Sequence, residues 1–344
     1  MGGWRALPNP GKAVMLGAVT NSRNAEKFGV VIPYFQRNPG LLAQAVRSVF
    51  AQAGAGASII VIVDDGSPLP ARAELAPFSI EERAHIVLIE QRNAGVSAAR
   101  NRALDAMPEE IGAIAFLDPD DVWEAGHLAN AAAAFRAGAQ FYFSDHIRDG
   151  EAQTRFAKCA FDVTAHPTLD AGIEIHRFAG DFVSQLVRMP PVGTSTVVIA
   201  RAICQKKRFR NDLSASEDLL FWISTTRGVA PITVSARCEA RYYEGVGLIE
   251  KAGWGTRRSL RVALDQDQML AAVMREVAVS DELEAYIKET RRGMITSYAR
   301  TLLHRARRGQ SIDIGTTVRF AVRHPSVIAA CAQVMLRRRT SGPK

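Results

Sequence analysis

The chain has 344 residues, 47% of them hydrophobic, with 43 Lys and Arg against 35 Asp and Glu for a formal net charge of +8. That length suits one large domain or two modest ones, and the composition is that of a chain able to bury a core. No run approaches the roughly 18 unbroken apolar residues that a membrane-spanning helix needs.

Residues 1–27 hold a short apolar patch, Val14 to Val19. It is too short and too Gly-rich for a signal sequence, and the segment reads as a loose leader. FGVVIP (28–33) is then a first strand, rich in β-branched residues. PGLLAQAVRSVFAQ (39–52) has helical spacing, with Leu42, Val46, Val49 and Phe50 on one face. ASIIVIV (57–63) is a second buried strand, stopped by DDGSP, and HIVLIE (85–90) a third. NAGVSAARNRALDAM (93–107) reads as a helix led in by a loop. IGAIAFL (111–117) is a fourth strand, EAGHLANAAAAFRAG (124–138) a helix and AQFYFSD (139–145) a fifth strand. Residues 146–190 show little periodicity and read as a long excursion that covers a site. TSTVVIA (194–200) is a strand and SASEDLLFWISTTRG (214–228) a helix. VAPITVSARCEARYYEG (229–245) is strand-like, then a polar loop. From about Thr256 the pattern is helical, broken near Gly309 and at Pro325. The four cysteines, Cys159, Cys204, Cys238 and Cys331, form no C-x-x-C pair. They suit buried thiols in a reducing cytosol better than zinc or disulfide chemistry.

Continuously apolar strands alternating with helices imply a parallel sheet covered on both faces. Ligands bind at the carboxyl ends of such strands. Polar residues gather there: Tyr34 after the first strand, Asp64 and Asp65 after the second, Asn93 after the third, and Asp118, Asp120 and Asp121 after the fourth. The last three acids repel one another unless something neutralises them. Hard oxygen ligands suit Mg²⁺ or Mn²⁺, with waters and substrate phosphates completing the shell. The competing reading is an acidic turn in which Asp121 caps the next helix. DDGSP can likewise be a plain turn or a hydrogen-bonding edge for a ligand. Gly95 lets a helix start come close to a ligand, and Arg100 and Arg102 could reach an anion there. Glu217 and Asp218 open a helix, which suits either dipole complementarity or general-base chemistry.

Taken in order, VVIPYFQR (30–37), AVRSVFAQ (45–52), IIVIVDDGSP (59–68), RNAGVSAARNRAL (92–104), IAFLDPDDVW (114–123) and SEDLLFW (216–222) resemble the family 2 glycosyltransferases. The resemblance spans roughly residues 28–245. It implies an α/β GT-A (Rossmann-like) fold, a mostly parallel sheet flanked by helices, over 28–250, with a helical basic C-terminal region at 251–344. It also implies an inverting, metal-dependent hexosyl transfer from a nucleotide-sugar donor to a glycan or lipid-linked acceptor, as in surface polysaccharide synthesis. Pro33, Tyr34, Asp64 and Asp65 would hold the nucleoside, and Asn93 and Arg100 would frame that pocket. DPDD would be the D-x-D element, carrying Mn²⁺ or Mg²⁺ and touching the ribose. There Asp120 and Asp121 stand closest, with Asp118 in support. Glu217 and Asp218 would be the Glu-Asp pair, with Asp218 as base. Many relatives follow that helix with Arg-x-His. Here EARYYEGVG supplies Arg241 and Tyr243 but no His, which leaves the third metal ligand open. Lys251, Arg257 and Arg258 are alternative contacts to the diphosphate.

A dinucleotide oxidoreductase would want G-x-G-x-x-G after the first strand, and IPYFQRNPG does not supply it. A sugar-nucleotide pyrophosphorylase would want a Gly-rich basic loop there. The runner-up from another class is a catalytically silent domain of the same fold, working as a membrane or assembly scaffold. From Arg291 onward twelve Lys and Arg face a single acid, Asp313. Such asymmetry suggests an anionic partner. TTVRFAVRHPSVIAACAQVMLRRR interleaves apolar and basic residues, as a segment lying on an anionic membrane does. A solvated helical face is the plainer reading. No nucleic-acid module is present. The expected location is cytoplasmic, with peripheral attachment to the inner face of the cell membrane.

Overall fold

The computed structural model describes residues 27–227, 231–243 and 253–340, with side chains to 336. The leader read at 1–27 lies outside them except for Lys27, as does Lys251.

The chain runs β1 (Phe28–Tyr34), α1 (Leu41–Phe50), β2 (Ala57–Asp64), α2 (Ala71–Leu75), α3 (Ile80–Arg83), β3 (Ile86–Glu90), α4 (Val96–Ala106) and β4 (Ala113–Phe116). It continues through β5 (Asp121–Trp123), α5 (His127–Arg136), β6 (Phe141–Arg148), α6 (Arg155–Lys158), β7 (Thr168–Asp170), β8 (Ile175–Arg177) and α7 (Phe182–Arg188). Then come β9 (Val198–Ala200), α8 (Arg201–Cys204), α9 (Glu217–Thr226) and β10 (Ile232–Tyr242). Four helices close the chain: α10 (Arg257–Glu276), α11 (Asp281–Arg307), α12 (Ile314–Arg323) and α13 (Val327–Thr340).

Among the described residues the strands form one sheet in the order β3-β2-β1-β4-β9-β6-β10-β8-β7, with β5 pairing β10. β1 pairs parallel to β2 and β4, β2 to β3, and β10 to β6. β9 is inserted antiparallel between β4 and β6. The period of two along each strand sets the layers. Val30, Ile32, Ile60, Ile62 and Ala115 face one core with Leu42 and Val46 of α1 and Leu128 of α5. Val31, Val61, Val63 and Phe116 face the other, with Ala99 and Ala103 of α4, Leu186 of α7 and Phe221 and Trp222 of α9. Apolar residues on both faces of the central strands are the reason their sequences read as unbroken runs.

The last four helices build a third cluster, in which Leu260 and Leu264 of α10 meet Tyr298, Phe320 and Val327. Tyr298 and Phe320 stack with centroids 3.8 Å apart. Further along α10, Met269 and Val273 join the core under α9, so one helix spans both clusters. Asp267, fully buried, locks the group by accepting from Arg291 at 2.7 Å and Arg323 at 2.8 Å. Among the described residues no helix is long and apolar enough to cross a membrane.

Three local expectations are corrected. Asp121 does not cap α5, whose N-cap is Gly126; it opens β5, where it pairs with Tyr242. The segment 194–200 is strand only from Val198, because Thr194–Thr196 form a 3-10 turn. Of the four thiols only Cys159 and Cys204 are buried, Cys238 being exposed and Cys331 half-buried.

Candidate active site

β4 ends at Phe116, and the chain turns through Leu117 and the acid loop into β5. The pairing of β4 with β1 and β9 fixes one end of that loop, and the pairing of β5 with β10 fixes the other. Behind it sits the 3-10 turn. The Ser195 hydroxyl accepts from the Asp118 N–H at 3.0 Å and donates to Asp121 Oδ2 at 2.6 Å. Its own N–H donates to the Tyr242 hydroxyl at 2.9 Å, and Trp123 Nε1 donates to its carbonyl at 2.6 Å. This close fit needs Gly193, where an added Cβ would lie 2.3 Å from Tyr242 Oη and 2.7 Å from His146 Cε1.

Asp121 is buried. Burial first, then repulsion from Asp118 and Asp120, holds its carboxyl well above the usual carboxylate range, against the opposing bonds from Ser195 and the Tyr243 N–H. The protein's own counter-charge is Arg100 on α4. Its Nη2 donates to Asp118 Oδ1 at 2.8 Å and its Nη1 to Glu217 Oε1 at 3.0 Å, with the guanidinium 5.3 Å from the Phe209 ring centroid. Burial works against that charge, yet Asp118 and Glu217 hold its pKa above the ordinary value.

Arg100 thereby joins the acid loop to the start of α9. Glu217 is buried. Burial and then Asp218 push its carboxyl up to about 7, against the pull of Arg100. Asp218 is half-buried, and Oδ2 accepts from Thr194 Oγ1 at 3.1 Å while Oδ1 accepts from the Leu219 N–H at 2.7 Å. The residue before the pair, Ser216, has φ 63 and ψ 14, a left-handed conformation rare outside glycine and asparagine. The chain is thus turned sharply to present both carboxyls from the helix N-terminus, where the dipole favours them.

The second group of expected residues surrounds the ends of β1 to β3. Asp64 accepts from the Ser67 N–H and the Ala71 N–H, each at 2.8 Å, so both its oxygens brace the DDGSP turn. Asp65 accepts from the Ala94 N–H at 2.7 Å, the Gly95 N–H at 2.8 Å and Gln91 Nε2 at 2.8 Å. Its carbonyl accepts from Asn93 Nδ2 at 2.9 Å, so the loops after β2 and β3 are sewn together. Gly66 sits inside that seam at φ +67, where an added Cβ would be 3.0 Å from the Asn93 nitrogen. Pro33 and Tyr34 end β1 opposite Val63 and Asp64. The Tyr34 ring is core, and burial pushes its phenol up to about 12.

The structure therefore brings Arg100, Asp118, Asp121 and Glu217 into one network bonded through Arg100 and Ser195. Asp218 follows Glu217 on α9, held by Thr194, and Asp120 is close enough to repel Asp121. It sets Pro33, Tyr34, Asp64, Asp65 and Asn93 at the neighbouring strand ends. Of the alternatives for the diphosphate, Arg257 and Arg258 open α10 and line a crevice of about 280 Å³ with Ser214 and Asp265; Arg257 lies 3.5 Å from Asp313. Arg241 lies 3.6 Å from Glu124. Thr194, Ser195, Tyr242 and His146 are the residues sequence reasoning missed. Their partners lie up to 77 positions away, so no local spacing marks them. The His146 ring centroid is 4.2 Å from that of Tyr242, and burial with Arg155, Arg148 and Lys158 lowers its pKa to about 3. Among the described residues no three His, Cys, Asp or Glu are grouped to hold a metal by themselves.

A family model described as Glycosyl transferase family 2 matches residues 29–179. The succinoglycan biosynthesis protein ExoW of Rhizobium meliloti (strain 1021) is 29% identical over 330 residues, 90% of this chain and 97% of that protein. Two solved structures share the fold. S. aureus TarS 1-349 in complex with UDP-GlcNAc has a TM-score of 0.53 at 16% identity, covering 89% of this chain and 81% of that one. The mannosyltransferase PcManGT from Pyrobaculum calidifontis, in complex with GDP-Man and Mn²⁺, has a TM-score of 0.54 at 15% identity, covering 89% and 86%.

Proposed function

We propose that this chain, which belongs to the family 2 glycosyltransferases, moves a sugar from a nucleotide-diphosphate sugar to an acceptor hydroxyl with inversion. The observation that carries this reading is the Arg100 bridge. It sets the acid loop and the Glu217-Asp218 helix at one site, so that a leaving group and an attacking hydroxyl can be served together. Two structures of the same fold hold sugar nucleotides, UDP-GlcNAc and GDP-Man, which supports a donor of that class. The relative that matches nearly end to end bears the name of succinoglycan biosynthesis, which favours a polysaccharide or its lipid-linked precursor as acceptor.

Asp218 is the base in this proposal. It takes the proton of the acceptor hydroxyl, whose oxygen attacks the anomeric carbon from the face opposite the nucleotide. The bond from that carbon to the phosphate oxygen breaks, and the nucleotide diphosphate leaves with the electron pair. One displacement inverts the centre and needs no covalent sugar–enzyme intermediate. Thr194 holds the Asp218 carboxylate in place, and Arg100 keeps Glu217 beside it. Asp65 and Asn93 hold the strand-end loops against which the nucleoside lies, with Pro33 and Tyr34 as its floor.

The donor set fits a divalent cation of the kind that takes most of its ligands from phosphates and water. Asp121, pushed up by burial and then by two like charges, is a group that a cation would return to its ionised form. One or two of Asp118, Asp120 and Asp121 would hold Mn²⁺ or Mg²⁺, with waters and the donor's phosphates as the remaining ligands, and the cation when bound would supply counter-charge for the departing diphosphate.

A thermal-shift screen tests the reading, pairing Mn²⁺ and Mg²⁺ with UDP-, GDP-, dTDP- and CMP-sugars. A ligand at a hundredfold excess over its Kd adds roughly 2.7 kcal/mol to the folded state. The expected result is metal-dependent stabilisation by one nucleotide class, lost in Asp121→Ala. Absence of any shift in well-folded protein would point to the silent scaffold instead.

A further inference from the structure

The end of the chain carries apolar surface that the catalytic reading does not use. Six of the ten large apolar side chains exposed among the described residues fall between 314 and 336. On α12, Ile314, Val318 and Val322 are 74%, 54% and 75% exposed, and their spacing of four places them in one stripe. The opposite face of the same helix, with Thr316 and Phe320, is buried. On α13, Ile328, Met335 and Leu336 repeat the pattern, exposed by 72%, 45% and 60%. A surface helix in water ordinarily turns charged or polar residues outward.

The surrounding charge is mostly positive. Arg307 and Arg308, at the C-terminal end of α11, and Arg319 on α12 are exposed and form no ion pair among the described residues. Asp313 is the sole acid after Arg291, and it caps α12 through the Thr316 N–H and lies 3.5 Å from Arg257. In sequence α13 runs into Arg337, Arg338 and Arg339. A second copy of the chain laid on this face would bring arginine against arginine. An anionic bilayer meets both demands, taking the apolar stripe at the acyl boundary and the arginines at its phosphates.

We propose that α12 and α13 form a docking face for anionic phospholipid, which would hold the active site next to a lipid-linked acceptor. Lipid binding requires no turnover, so it is read independently of the transferase assignment.

The test is flotation of the full chain with vesicles of phosphatidylcholine alone and of an equal mixture of phosphatidylcholine and phosphatidylglycerol. Wild type is expected to float with the mixed vesicles and to stay behind with phosphatidylcholine, and added salt should weaken the binding. The variant Ile314→Gln/Val318→Gln/Val322→Gln changes only exposed positions and should lose about tenfold or more in partition. Arg307→Gln/Arg308→Gln should lose its preference for the anionic vesicles. Unchanged thermal unfolding and sugar-nucleotide binding in both variants would show that the fold is intact. Wild-type protein that ignores the mixed vesicles, or a triple variant that floats like wild type, would overturn the proposal. A concentration-dependent dimer that the triple variant abolishes would assign the face to a second copy instead.

Discussion

At the scale of single residues, the site is a problem in charge placement. Asp121 sits in a dry position beside two like charges, with its carboxyl raised for that reason. Asp121→Asn should then remove a destabilising charge without changing shape. We expect the ligand-free variant to be as stable as wild type or up to about 1 kcal/mol more stable in urea, while losing metal-dependent donor binding. For the same reason a proton competes with the cation, so Mn²⁺ affinity measured by titration should fall as pH is lowered. Arg100 has the opposite character, since removing it strands two carboxylates. Arg100→Ala should cost about 3 to 5 kcal/mol in urea unfolding. Adding Asp118→Asn and Glu217→Gln should recover a large part, because nothing charged is then left alone. Ser195 holds the loop by bonds on both sides of its oxygen. Ser195→Ala should cost about 1 to 3 kcal/mol, as it leaves a buried acceptor and a backbone N–H without their partner.

At the scale of elements, the short segments matter most for the site and are the least legible in sequence. The central strands were readable because burial on both faces forces apolar runs on them, as in IIVIV of β2. β5 has only three residues and begins with an acid, so nothing local marks DVW as a strand; its pairing with Tyr242 does. TSTVVIA is mostly β-branched and so predicts strand over Thr194–Thr196, but tertiary bonds to Asp118, Asp121 and Asp218 override that preference. The helical pattern from Thr256 hides the break between α10 and α11, although Ser280 caps the second helix and Asp281, Glu282 and Glu284 follow it, a start signal present in the sequence. The acids themselves were found by their position after strands. Their bridge through Arg100 was not, since Arg100 and Glu217 are 117 residues apart. Ser216 offers a test at this scale. Its left-handed backbone places Glu217 and Asp218, and glycine adopts that conformation without steric cost. Ser216→Gly should keep the fold and raise stability by up to about 1 kcal/mol in urea.

For the whole molecule, the sheet collects residues from the ends of four strands and from α9 into one edge, and the closing helices reach back to it through α10. A global consequence is acid sensitivity. His146, buried beside Tyr242, takes up a proton in the folded chain only near pH 3, whereas its ordinary value is 6.5. The unfolded chain therefore binds a proton that the native chain refuses. The stability linked to His146 is complete above pH 6.5 and is lost as pH falls toward 3. Between pH 6.5 and 5 we expect wild type to lose roughly 1 to 2 kcal/mol more than His146→Gln, read from urea midpoints. Turnover in the proposed reaction rests on Asp218 acting as base at a site whose donor grip lies elsewhere, in the acid loop. The measurement that tests this most directly is the rate of nucleotide diphosphate release by Asp218→Asn, taken with the donor found in the screen and with donor binding measured alongside. The expected result is a donor Kd close to that of wild type and a rate lower by roughly 10²- to 10⁴-fold. A rate within about tenfold of wild type would contradict the assignment, because a positioned general base contributes more than that.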